Sequence, residues 1–209
     1  MNERILILAP HTDDGELGCG GSIAKFISEG KTIHYVAFSV CEESVPEGLP
    51  KDTLEKELRA AAGVLGILPE NLHIYHFPVR KLAEHRQEIL EELVRLKREL
   101  SPDMVLMPSL HDVHQDHLTV AQEGVRAFKT CKLLCYEMVW NNLTFNTTAF
   151  IPFSENNIQK KLDALKMYHS QQGIRPYMSE DFVRSLASIR GVQIGCKYAE
   201  AFEVVRWIL

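Results

Sequence analysis

Arg4-Ile5-Leu6-Ile7-Leu8-Ala9-Pro10-His11-Thr12-Asp13-Asp14 carries an almost unbroken apolar run that ends in a cluster of imidazole and carboxylate groups. An apolar run of strand length without polar alternation reads as a strand buried on both faces of a parallel sheet. The polar cluster then stands just past the C-terminal end of that strand, the edge at which open α/β sheets bind ligands. Gly18-Cys19-Gly20-Gly21-Ser22 follows, with Ile23, Phe26 and Ile27 at helical spacing, so the order is strand, tight turn, helix.

A second segment repeats this arrangement. Met104-Val105-Leu106-Met107-Pro108 is another short apolar run, His114-Gln115-Asp116-His117 lies beyond it, and Leu118 to Phe128 has helical periodicity. Two parallel strands deliver their loops to one rim, so His11, Asp14 and one or both of His114 and His117 converge despite their separation in sequence. Imidazole and carboxylate in that combination suit zinc. Each piece alone has a plainer reading, since an Asp after a strand can be a helix N-cap and a His-x-x-His pair can be surface decoration. Both segments at matching strand ends favour a metal centre. His111-x-x-His114 offers an alternative register for the histidine pair.

Strand-like runs at 3–9, 32–40, 72–77, 103–108 and 132–137 alternate with helical patterns at 19–30, 52–66, 84–100 and 117–129. This alternation predicts an α/β fold, a Rossmann-like open, mostly parallel sheet with helices on both faces. Beyond Val139 the order changes to a strand at 144–151, helices at 155–169 and 179–189, and a closing strand at 201–208, a C-terminal α+β extension expected to complete the pocket. No repeat, low-complexity tract or Pro/Gly linker divides residues 1–209, which read as a single domain. The glycines are not spaced as Gly-x-Gly-x-x-Gly, and no acidic residue closes the second strand as a ribose ligand would require. They read instead as a device for close helix–strand packing.

These residues resemble the LmbE/PIG-L superfamily of zinc-dependent de-N-acetylases acting on N-acetylglucosamine-type sugars. The family's first motif, His-Pro-Asp-Asp-Glu followed by Gly-Cys-Gly-Gly-Thr, is met here by His11-Thr12-Asp13-Asp14-Gly15-Glu16-Leu17-Gly18-Cys19-Gly20-Gly21-Ser22, and the second, His-x-Asp-His before a helix, by His114 to His117. Similarity continues through Glu57, Ala61, Leu65 and Gly66, through Lys161 to Gln171, and through Tyr198-Ala199-Glu200-Ala201-Phe202, so it spans nearly the whole chain. The resemblance implies that His11, Asp14 and His117 bind Zn2+, that Asp13 is the general base and that His114 is a second catalytic group. Asp116 is a candidate to orient His114 or His117 through a hydrogen bond, with a favourable place in a helix's first turn as its plainer role. Three positions depart from the pattern. Thr12 replaces a proline, Gly15 replaces the glutamate, now displaced to Glu16, and Leu54 stands where a basic residue often precedes Glu57.

Among the loops expected at the rim, Glu42, Glu43 and Arg80 are candidates to bind sugar hydroxyls, with solvated loop charge as the alternative. Trp140 with Asn141 and Asn142 suits the apolar face and hydroxyl edge of a sugar, although Trp140 also fits a core position. His169-Ser170-Gln171 and Arg190 also match family positions or serve as helix-end caps. Two rival functions use the same residues. Two histidines and a carboxylate form the facial triad of non-haem iron(II) oxygenases, and a metal-bound sugar-binding protein without catalysis needs no base. Asp13 beside a ligand argues against both.

Of 209 residues, 45% are hydrophobic and 24% charged, an ordinary balance for a globular protein with a sizeable core. The formal charge of −5, with no dense Lys/Arg block, argues against nucleic-acid and anionic-membrane partners. No stretch approaches the ~18 apolar residues of a membrane span, and the first strand and metal loop lie too close to Met1 for a removable signal. Scattered cysteines at 19, 41, 131, 135 and 196 form no disulfide framework or zinc pair, and together these features point to the cytoplasm. Asn142-Leu143-Thr144 and Asn146-Thr147-Thr148 are then chance sequons. The expected partner is a small N-acetylated sugar, and the oligomeric state is left open, a homo-oligomer included.

Overall fold

Strands and helices alternate from the start of the chain, and a computed structural model describes residues 3–208 of them. The elements are β1 (Arg4–Ala9), α1 (Asp14–Ser28), β2 (Thr32–Ala37), α2 (Thr53–Leu65), β3 (Leu72–Ile74), α3 (Arg86–Leu100), β4 (Met104–Pro108), α4 (Gln115–Ala127), β5 (Lys132–Tyr136), β6 (Ala149–Phe153), α5 (Glu155–Leu165), α6 (Glu180–Val192) and β7 (Tyr198–Arg206). They build one seven-stranded sheet in the order β3-β2-β1-β4-β5-β7-β6. β1 pairs in parallel with β2 and β4, β2 with β3 and β4 with β5, whereas β7 runs antiparallel to β5 and β6. The expected α/β architecture is thus present, and its strand order reverses between β1 and β4. At that switch point the loops after two adjacent strands part and leave a crevice.

Alternation along β1 distributes the core. Ile5, Ile7 and Ala9 join Ile23 and Phe26 of α1, Leu58 and Leu65 of α2 and Leu162 of α5 on one face. Leu6 and Leu8 join Ile89, Leu93 and Leu96 of α3 and Val120 of α4 on the other. Each such side chain contributes about 1.5–3 kcal/mol by burial, which fixes the strand's register and so the place where its polar extension emerges.

α1 starts at Asp14 rather than at the periodic stretch beginning with Cys19, because its first turn is the acidic segment itself. Glycines conceal this from a periodicity argument. A Cβ on Gly18 would lie 2.3 Å from the Tyr136 ring and one on Gly21 2.6 Å from Phe153, so the helix approaches the sheet only with hydrogens at those positions. At Cys19 the helix kinks (φ −146°, ψ 24°). Two buried side chains satisfy the groups released there. Lys161 Nζ donates to the Leu17 carbonyl at 2.8 Å, and Glu200 accepts from the Gly21 and Ser22 amides at 3.0 and 2.8 Å and from the Ser22 hydroxyl at 2.6 Å. Lys161 and Glu200 close the arrangement with a 2.7 Å ion pair.

Several boundaries differ from the sequence expectations. β3 ends at Ile74, although Tyr75 and Phe77 still donate to the Ala37 and Phe38 carbonyls before Pro78 ends the run. β6 begins at Ala149 rather than Thr144, because the Asn146 amide donates to the Glu203 side chain of β7 rather than to that strand's backbone. β7 begins at Tyr198 rather than Ala201. Among the described residues no helix is long and apolar enough to cross a membrane. All five cysteines are free.

Glu200 holds four donors in a buried site, so Glu200→Ala is expected to cost about 3–5 kcal/mol by leaving the Lys161 charge and two amides unpaired. Urea unfolding measures this, and a loss below about 1 kcal/mol would contradict the capping role.

Candidate metal centre

The loop after β1 presents His11, Asp13 and Asp14, and the loop after β4 presents Asp112 and His114, with Asp116 and His117 in the first turn of α4. They meet at the switch point. His11 Nδ1 lies 3.1 Å from Asp14 Oδ2 and 3.2 Å from His117 Nε2, and His117 Nε2 lies 3.3 Å from the same Asp14 oxygen. These three atoms form a nearly equilateral triangle. Metal–ligand distances of 2.0–2.1 Å in a tetrahedral zinc site place ligand atoms about 3.3–3.4 Å apart, a spacing these three atoms nearly match. The donor set fits a divalent metal.

The three imidazoles of His11, His114 and His117 also have ligand atoms within 4.8 Å of one another. His114 is otherwise engaged. It is the N-cap of α4, and its Nδ1 accepts from the Asp116 amide at 3.2 Å. This leaves Nε2 to carry the proton of the neutral ring. Burial first, then the His11 and His117 charges, hold the His114 pKa below the usual histidine value.

Buried carboxylates hold the far nitrogens of the other two rings. Asp116 lies 2.9 Å from His11 Nε2, and Asp112 lies 2.7 Å from His117 Nδ1. Each carboxylate selects the tautomer that turns the opposite nitrogen inward. The Asp116 carboxylate therefore acts on His11, across the switch point, because its α4 position points it at the β1 loop, while it is the Asp116 amide that meets His114. It also accepts from the Arg80 and Leu82 amides at 2.6 and 3.1 Å. Asp112, two residues before the His114 to His117 motif, is buried and additionally accepts from the His114 amide at 2.8 Å. The only sequence sign of its role was an acid five residues before His117.

Asp13 is the N-cap residue of α1, but its side chain makes no capping hydrogen bond. The plain reading of this acid as a cap thus lacks its defining bond. Burial, then the charge of Asp14, push the Asp13 pKa up to about 6. Asp14 is held well below the usual carboxylate range, since His117 and His11 outweigh its burial.

A cavity of about 400 Å³ opens over this centre. His11, Asp13, Asp14, His114 and His117 form its floor, and Arg80, Trp140, Asn141, Gln171, Arg175 and Tyr177 are among its walls. Trp140 stacks on Tyr177 with ring centroids 4.0 Å apart. The structure does not bring the other sequence candidates to this cavity. Glu42 and Glu43 line a neighbouring pocket, Glu42 facing His76 at 3.5 Å and Glu43 facing Arg80 at 3.7 Å. Asn142 turns inward to accept from the Met138 amide at 2.7 Å, and its neighbour Asn141 reaches the wall instead. Ser170 binds Glu57, and Arg190 binds Glu137. Arg175 and Tyr177, at a single 3-10 turn (Pro176–Met178) too short for periodicity, were not visible from the sequence.

Without a cation, burial opposes charge on both inner imidazoles, yet Asp14 with Asp116 raises His11 to about 9 and Asp14 with Asp112 raises His117 to about 10. The carboxylates thus favour a second proton on these rings, and a metal taking the inward nitrogens must displace it. Calorimetry at pH 7.5 in buffers of different ionisation enthalpy is expected to show more than one proton released per zinc bound. Binding without proton release would contradict the pairing described.

Comparison with known proteins agrees with this geometry. Residues 6–128 match the family model PIG-L: GlcNAc-PI de-N-acetylase. The chain is similar to diacetylchitobiose deacetylase of Thermococcus kodakarensis, with 26% identity over 97% of this chain and 83% of that protein. It is also similar to 4-oxalmesaconate hydratase of Pseudomonas putida, 30% identical over 57% of this chain and 50% of that protein. The fold superposes on the conserved protein TT1542 from Thermus thermophilus with a TM-score of 0.82 and 28% identity, covering 100% of this chain and 97% of that one. With more than half of its length matched by the model, and the motif residues gathered in one cavity, the chain belongs to the PIG-L (GlcNAc-PI de-N-acetylase) family.

Proposed function

We propose that this chain is a zinc-dependent N-deacetylase that hydrolyses the acetamide of an N-acetylated amino sugar. The observation that carries the proposal is the Asp13 carboxylate, free of any capping bond and facing the cavity beside the His11–Asp14–His117 triangle. Those three residues are assigned as the zinc ligands, with Asp116 and Asp112 orienting the two imidazoles. When bound, the metal supplies Lewis acidity, lowering the pKa of a water from about 16 toward 7 and polarising the scissile carbonyl. Asp13 takes the proton of the attacking water and returns it to the departing nitrogen. The Nε2–H of His114 donates to the carbonyl oxygen as it gains charge, a contact worth about 10²–10³ in kcat in comparable sites.

Sugar recognition falls to the walls. Trp140 offers an aromatic face to the apolar side of a pyranose, while Asn141, Gln171 and Arg80 supply hydrogen-bonding groups at its edge. The deacetylase relative lends the substrate class, and a pocket lined on one side by charged groups and on the other by an aromatic stack accords with it.

The base assignment predicts a separation of effects. Asp13→Asn is expected to retain zinc but lower kcat by ~10²-fold or more, whereas His117→Ala loses the metal. Metal analysis beside acetate release reads both, and normal turnover in Asp13→Asn would overturn the mechanism. Asp13 works only when ionised, so kcat/KM is expected to fall as pH drops through its midpoint. That midpoint lies below the metal-free value of about 6, because a bound cation favours the anion. A pH–rate profile with no acid limb down to about pH 4 would remove Asp13 from the rate-determining chemistry.

A further inference from the structure

Glu16 takes no part in the mechanism above, yet it is completely buried under the segment that carries Asp13 and Asp14. Two buried tyrosines meet it there. Tyr35 of β2 donates to Glu16 Oε2 at 2.5 Å, and the Tyr168 hydroxyl lies 3.2 Å from Oε1. Both hydroxyls also reach the carbonyl of Thr12, Tyr168 at 2.6 Å and Tyr35 at 3.2 Å, and the Gly15 amide donates to the Tyr35 oxygen at 3.1 Å. The two backbone groups on either side of Asp13-Asp14 are thus tied to one polar cluster.

We infer that Glu16, Tyr35 and Tyr168 form a buried strut that fixes the Thr12–Gly15 backbone and thereby aims the Asp13 carboxylate into the cavity. Each is a positioning residue, and the inference rests on Asp13 as the base. The pattern of donors and acceptors supports it. A continuous path runs from the Gly15 amide to the Tyr35 hydroxyl, to Glu16, to the Tyr168 hydroxyl and to the Thr12 carbonyl when the Glu16 side chain offers one acceptor and one donor. Each of the four donors is then used once, with the Tyr35 proton on Glu16 and the Thr12 carbonyl served by Tyr168, as buried polar groups require.

Gly15 belongs to the same device. A Cβ there would lie 2.4–2.7 Å from the Tyr35 ring and hydroxyl, so Tyr35 reaches Glu16 and the Gly15 amide only because residue 15 has no side chain. The exchange of glutamate for glycine at this place in the motif, with glutamate one position later, is accounted for. The carboxyl group approaches from the helix's inner side, and the tyrosine fills the space vacated.

Gln in place of Glu16 keeps the side-chain oxygen that meets Tyr35 and a second polar atom toward Tyr168, so the conservative variant separates positioning from bulk stability. Glu16→Gln is expected to keep kcat within about threefold, while Tyr168→Phe, which removes one hydroxyl and little volume, lowers kcat at least tenfold with KM changed less than threefold and zinc content unaltered. If Tyr168→Phe lowers the melting temperature but leaves kcat of the folded enzyme unchanged, the strut is structural only and the inference fails. A second readout needs no activity. Amide hydrogen exchange at Gly15 is expected to be slow in wild type and in Glu16→Gln, and at least tenfold faster in Tyr35→Phe. Equal exchange rates would refute the strut. A wild-type protein that releases no acetate but shows the exchange pattern would instead refute the deacetylase reading and keep the strut.

Discussion

Two buried carboxylates, Asp112 and Asp116, hold the imidazoles of His117 and His11 from behind, and the organisation of the site depends on these pairs. A buried carboxylate needs several donors, and each of these recruits them from a different part of the fold. Asp116 draws in the Arg80 and Leu82 amides, and Asp112 the His114 amide. Arg80 adopts a left-handed conformation (φ 67°) at this turn, at a cost of about 1–2 kcal/mol for a residue with a Cβ. Its hydrogen bond to a buried, ionised acceptor offsets that cost. The loop before α3 is thereby fastened to α4, and Arg80 is brought to the cavity wall.

The C-terminal third acts on the same centre from the opposite side. Glu203 of β7 accepts from Ser109 at 2.6 Å, and Ser109 in turn receives the His111 amide, which braces the loop after β4. Glu200 and Lys161 stabilise the kink that lets the first turn of α1 point its carboxylates at the switch point while the rest of the helix packs on the sheet. Trp140 on Tyr177 closes the wall. The extension therefore shapes the site by holding the two motif loops as well as by lining the cavity.

Much of this was legible in the sequence because burial leaves a periodic trace. The apolar runs of β1 and β4 pointed to the parallel sheet, and polar clusters at their ends pointed to the rim. The start of α1 escaped because glycines in contact with Tyr136 and Phe153 carry no hydrophobic signal. The partner of Asp116 escaped because His11 lies across the crevice, a relation set by strand order rather than by spacing. Asn142 looked as suitable for a sugar as Asn141, and only the turn that spends Asn142 on the Met138 amide distinguishes them. Glu42 and Glu43 shared a loop with cavity residues but face His76 and Arg80 instead.

One relative is named a deacetylase and another a hydratase, so the bond broken is the claim most worth testing. Metal content and acetate release, measured together on purified protein with a panel of N-acetylglucosamine glycosides, address it directly. The account predicts about one zinc per chain, with acetate release that a chelator abolishes and added zinc restores. Bound metal with no acetate from any glycoside, or water addition to an unsaturated acid in its place, would contradict it.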